Sequence, residues 1–72
     1  MKFAIVGAGA VGAYMAARMA RAGEDVTLLA RGRQFAAMRE GGVRVVSPAG
    51  DFTAHPAITN DPARLAGADV VF

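Results

Sequence analysis

Phe3-Ala4-Ile5-Val6-Gly7-Ala8-Gly9-Ala10-Val11-Gly12 is the stretch on which the fold turns. Its first four residues form a short apolar run closed by glycine. The run is too short for a helix and has apolar sequence on both sides, as a strand buried on both faces requires. From Ala10 to Ala22 the period becomes helical. Tyr14, Arg18 and Arg21 share one wet face, while Gly12, Ala16 and Met19, flanked by Met15, line the opposite one. Gly23 offers the left-handed residue that ends such a helix. Asp25 to Ala30 reads as a second strand, β-branched at Val26 and Thr27. Strand, glycine turn, helix and strand within about 30 residues make a βαβ unit, which requires parallel strands and a right-handed crossover.

Further along, Gln34 to Glu40 predicts a short helix carrying Phe35 and Met38, stopped by Gly41-Gly42. Val43 to Ser47 and Phe52 to Ala54 read as the arms of a hairpin. Ser47-Pro48-Ala49-Gly50 puts Ser, Pro and Gly where a type I turn wants them. Here the sheet is expected to make an antiparallel excursion, with His55-Pro56 in the loop that follows. Asn60-Asp61-Pro62 opens another helix, with Asp61 as N-cap and Pro62 at the first helical position, and Gly67 ends it. Asp69 to Phe72 starts a further buried strand. The expected class is therefore α/β: a Rossmann-type dinucleotide-binding fold whose mostly parallel sheet has strand order 3-2-1-4, with a β-hairpin excursion. The chain stops inside an apolar strand with no cap or polar tail. The expectation is that residues 1–72 are the N-terminal portion of a longer polypeptide. An unpaired sheet edge invites another chain, which leaves homo-oligomerisation open.

Composition narrows the functional classes. The 72 residues contain no Cys, which removes disulfide frameworks and thiolate metal sites and suits a reducing, cytoplasmic compartment. With 54% hydrophobic and 19% charged residues, the chain lies far from the disordered class. The pI near 9.9 accompanies a net charge of only +2. The basic residues Lys2, Arg18, Arg21, Arg31, Arg33, Arg39, Arg44 and Arg64 are scattered, and no aromatic residues interleave with them. Nucleic acid is therefore not an expected partner. The uncharged stretch from Phe3 to Ala17 mimics a signal or membrane segment. It is interrupted by glycines, lacks Leu and falls short of the roughly 20 residues that span a bilayer, so no membrane partner is expected.

Gly7-Ala8-Gly9-Ala10-Val11-Gly12 matches G-x-G-x-x-G. A tight turn would explain the bare pattern equally well. Here it follows a predicted strand and opens a predicted helix, the arrangement that confirms a dinucleotide pyrophosphate site. Gly7 permits the tight turn, Gly9 lets the backbone approach the anion, and Gly12 lets helix and strand pack closely. Free N–H groups at the helix start and the positive end of its dipole then hold the charge. Specificity is read roughly 20 residues on, where an NAD site carries Asp or Glu for the ribose hydroxyl. This chain reads Leu28-Leu29-Ala30-Arg31-Gly32-Arg33-Gln34, without a carboxylate. Arg31 instead offers a planar fork for the 2′-phosphate of NADP(H), and Arg33 is a second candidate. The bland alternative makes both solvated loop charges. An arginine at a helix start opposes the dipole, so something else favours it there. His55 reads as structural, and Asp51, Asp61 and Asp69 as turn, cap and strand-edge residues. No general acid, nucleophile or metal cluster assembles from this segment.

The residues from Met1 to Gly12, the run Ala22 to Gly32, the Gly-Val-Arg-Val hairpin and Thr59-Asn60-Asp61-Pro62 together resemble the N-terminus of the ketopantoate reductase (2-dehydropantoate 2-reductase) family. The resemblance covers essentially the whole chain. It implies NADPH-dependent reduction of the 2-keto group of ketopantoate to pantoate, on the route to pantothenate and coenzyme A. On that basis Gly7, Ala8, Gly9, Ala10, Val11 and Gly12 would hold the pyrophosphate and Arg31 the 2′-phosphate. The partner would be a small-molecule 2-keto acid. The family's cofactor-holding Lys, catalytic Lys, nicotinamide-side Asn and acidic substrate residue would all lie beyond Phe72, the last in a helical C-terminal substrate domain. Two other readings share these residues: another NADP-dependent reductase of a 2-keto acid or imine, and a non-catalytic nucleotide-sensing module. Sensor modules usually keep an acid after the second strand, and Arg31 argues against that one.

Overall fold

The computed structural model describes residues 1–7 and 9–72. Along the chain run β1 (Lys2–Val6), α1 (Ala10–Arg21), β2 (Asp25–Leu29), α2 (Gly32–Gly41), β3 (Val43–Val45), β4 (Phe52–Ala54), β5 (Ala57–Thr59), a single 3-10 turn (Pro62–Leu65) and β6 (Val70–Val71). Four strands form a parallel sheet in the order β5-β2-β1-β6. Phe3 sits opposite both Val26 and Val70, and Leu28 opposite Ile58. This is the α/β Rossmann arrangement, and the expected order 3-2-1-4 holds with β5 as third strand and β6 as fourth.

Two expectations change. The third strand is Ala57–Thr59, a segment that reads as loop because three residues between Pro56 and Asn60 are too few to show a period. Its pairing partner β2 supplies what local sequence does not. The hairpin is no excursion of the main sheet: β3 and β4 form a separate antiparallel pair, with Val43 opposite Ala54 and Val45 opposite Phe52. It packs on α1, where Val43, Val45 and Ala54 join Ala16 and Ala17 in one core. The Arg21 guanidinium lies 4.3 Å from the centre of the Phe52 ring, a cation–π contact.

The main sheet contributes Ile5, Val26, Leu28 and Ala30 to the same core. Ala16 and Ala17 are fully buried, and their small side chains let α1 lie close on the strands. Leu28 is the largest fully buried side chain, a burial that contributes about 1.5–3 kcal/mol. The end of α1 is a Schellman motif. Glu24 N–H donates to the Met19 carbonyl at 3.0 Å and Gly23 N–H to that of Ala20 at 3.0 Å, with Gly23 at φ +84°.

The crossover from β5 to β6 is short. Asp61 caps it as expected, its side chain accepting from Ala63 N–H at 3.0 Å, with Pro62 in first position. The expected helix is only a 3-10 turn, because Ala66 is already extended at φ −61° and ψ 136°. Asp69 then fastens β6 to β1: Lys2 N–H donates to Asp69 Oδ2 at 2.7 Å and Asp69 N–H to the Lys2 carbonyl at 2.8 Å. Among the described residues no helix is long and apolar enough to cross a membrane.

Candidate functional site

β1 ends at Val6, and the chain must reverse at once to bring α1 back over the sheet. Gly7 makes that reversal at φ +95°, a conformation L side chains rarely adopt. Its N–H donates to the Leu29 carbonyl at 3.3 Å, tying the turn to the end of β2. Gly12 is required by packing. A Cβ there would run into the Gly7 carbonyl oxygen and come within 3.3 Å of Ile5 Cγ2, so α1 can rest on the turn only without one.

Gly9 has neither need. It is the N-cap of α1 at φ −65° and ψ 173°, open to any residue, and a Cβ on it would meet nothing within 4 Å. The fold does not ask for glycine at this position, whereas an anion approaching the backbone does. The first helical bond runs from Ala13 N–H to the Gly9 carbonyl at 2.9 Å. The amides of Ala10, Val11 and Gly12 precede it and so have no intrahelical acceptor. Among the described residues no side chain caps α1 and no acidic residue sits in its first turn, while Arg18 and Arg21 occupy the last. Among the described residues no side-chain charge compensates the positive end of the helix dipole, while the two arginines compensate the negative end. Val11 stands 75% exposed at this rim. Ala8, also expected in the loop, lies outside the described residues.

One residue, Ala30, separates β2 from Arg31, the extended N-cap of α2 at φ −134° and ψ 157°. The residue before it is pinned, since Ala30 N–H donates to the Thr59 carbonyl at 2.9 Å. Arg31 and Arg33 are both exposed. Among the described residues the one ion pair joins Arg44 and Asp51 at 3.7 Å, so neither arginine has a carboxylate partner. The structure thus brings the Gly7–Gly12 turn and the Arg31 junction to the same, carboxyl end of the parallel sheet, where ligands of such sheets bind. Thr59 is a residue that local reading misses. Its contribution is a backbone carbonyl on an unrecognised strand, and no side-chain pattern signals that.

The three aspartates do what the sequence suggests. Asp51 Oδ1 accepts from Ser47 N–H at 3.1 Å in the hairpin turn, and Asp61 and Asp69 serve the cap and strand contact above. His55 is exposed, and its ring lies where a Cβ on Gly42 would have to go. Among the described residues no group of three or more His, Cys, Asp or Glu gathers to hold a metal ion. A groove of about 560 Å³ runs past Phe35, Arg39, Ile58, Asn60 and Arg64 and shares no lining residue with the glycine turn or Arg31. An open rim of backbone amides is not a cavity, so size does not locate this site.

Comparison with known proteins fits this geometry. The family described as ketopantoate reductase PanE/ApbA matches residues 3–72. A 2-dehydropantoate 2-reductase of Nostoc sp. is 39% identical over 97% of this chain and 22% of its own length. An uncharacterized oxidoreductase of Bacillus subtilis is 38% identical over 78% of this chain and 18% of its own. The crystal structure of a PanE/ApbA family ketopantoate reductase from Ralstonia eutropha superposes with a TM-score of 0.91 and 41% identity, over 99% of this chain and 24% of that one. The chain therefore spans between 18% and 24% of the length of these relatives. With its glycine turn, its parallel sheet and the match running from residue 3 to residue 72, the chain belongs to the ketopantoate reductase family PanE/ApbA.

Proposed function

We propose that residues 1–72 are the N-terminal portion of an NADP-binding domain in a longer enzyme. That enzyme reduces 2-dehydropantoate to pantoate with NADPH, on the route to pantothenate and coenzyme A. The relatives are about four times as long as this chain, which leaves room for the rest of that domain and for the helical substrate domain that the family resemblance implies. The observation that carries the cofactor assignment is Arg31, exposed and, among the described residues, without a carboxylate partner just past β2, where an NAD site would present a carboxylate. Its fork is suited to two parallel bonds to a phosphate. The amides at the start of α1 hold the pyrophosphate, and Gly9 keeps the approach free of a side chain. When bound, NADPH supplies the hydride for reduction of the keto group. The described residues bind and orient; proton transfer and substrate recognition fall to the remainder of the protein. The partner is a small-molecule 2-keto acid, and the Cys-free segment suits action in the cytoplasm.

The test is consumption of NADPH by the full-length protein offered 2-dehydropantoate, with pantoate identified as product. A second reading, the same chemistry on another 2-keto acid, is favoured by the relative named only as an oxidoreductase. It replaces the first if 2-dehydropantoate is not reduced while another 2-keto acid is.

A further inference from the structure

Two residues, Ala30 and Arg31, join β2 to α2. Ala30 is buried and held by its bond to Thr59, and Arg31 continues the extended direction of the strand. Gly32 then reverses the chain at φ +58°, in the left-handed region. Helical bonding begins at once, with Phe35 N–H donating to the Arg31 carbonyl at 3.4 Å. A Cβ on Gly32 would meet nothing within 4 Å, so glycine serves no packing purpose here. Its use is conformational, because a left-handed residue costs other side chains more than it costs glycine.

We infer that Gly32 is a positioning residue for cofactor discrimination: its left-handed backbone sets the direction in which Arg31 leaves the junction, toward the 2′-phosphate of NADP(H). This rests on the reading of Arg31 as a phosphate ligand. Arg31 lies between two fixed points, the Ala30–Thr59 bond behind it and the first turn of α2 ahead. An alanine at position 32 drives φ toward negative values. With both flanks held, the peptide between residues 31 and 32 takes up the rotation and the guanidinium moves with it. Asparagine tolerates the left-handed region far better than alanine, so it separates loss of conformation from gain of a side chain. Gly32 is exposed and outside the core, so these substitutions leave the packing alone.

The experiment measures dissociation constants of NADPH and NADH by calorimetry on the full-length protein. It compares Gly32→Ala and Gly32→Asn, each with Arg31 present and with Arg31→Ala. Gly32→Ala is expected to lower the preference for NADPH by about three- to tenfold, within the range of coupling between neighbouring residues. Gly32→Asn should keep it within about twofold, and Gly32→Ala should add nothing once Arg31 is gone. If Gly32→Ala leaves the preference intact while Arg31→Ala abolishes it, the inference falls and the phosphate reading stands. An equal loss for both dinucleotides, persisting in the Arg31→Ala background, assigns Gly32 to the fold and also overturns it. If Arg31→Ala leaves the preference unchanged, the phosphate reading itself is wrong.

Discussion

The Gly7 N–H donates to the Leu29 carbonyl at 3.3 Å, so the turn after β1 is fastened to the strand that delivers Arg31 two residues later. One hydrogen bond thereby couples the rim proposed to hold the pyrophosphate to the junction of the residue proposed to read the 2′-phosphate. Gly7 also sits at φ +95°, where a side chain costs about 1–2 kcal/mol. Gly7→Ala is expected to lower thermal stability by that amount and to weaken NADPH and NADH together, with little change in their ratio. Calorimetry with both dinucleotides checks it.

The fold needs glycine at position 12 and not at position 9. At Gly12 a Cβ collides with the Gly7 carbonyl, and overpacking of this kind costs about 1–3 kcal/mol. At Gly9 a Cβ meets no protein atom. Gly12→Ala should therefore lower the melting temperature clearly. Gly9→Ala should leave stability within about 0.5 kcal/mol yet weaken dinucleotide binding. A Gly9→Ala protein that binds NADPH unchanged removes the pyrophosphate from this turn.

Leu28 lies fully buried between the sheet and α1. Truncation to alanine leaves a cavity and costs about 2–5 kcal/mol. Denaturant unfolding of Leu28→Ala should show that loss. Leu28 lies three residues before Arg31 and inside the core, so the preference between dinucleotides in the protein that remains folded should not change.

Much of this was legible in the sequence because local rules and tertiary structure agree. The glycines at 7, 9 and 12 mark the turn, Gly23 ends α1 as its Schellman residue, and Asp61 with Pro62 caps the short crossover. What was not legible depends on partners distant in sequence. Ala57–Thr59 becomes a strand only because Thr27, Leu28 and Leu29 offer it an edge. The hairpin leaves the main sheet because Val43, Val45 and Ala54 find α1 instead. The candidate site divides in the same way. Arg31 stands out as a missing carboxylate, whereas the carbonyls of Leu29 and Thr59 that hold its surroundings carry no residue signature.

The proposed NADP site depends on Arg31. Dissociation constants of NADPH and NADH, measured by calorimetry on the full-length protein and on Arg31→Ala, test it most directly. If Arg31 holds the 2′-phosphate, NADPH binds at least about tenfold more tightly, about 1.4 kcal/mol, and the preference disappears in the variant. NADH bound as tightly as NADPH by the unaltered protein, with no change on losing Arg31, would contradict it.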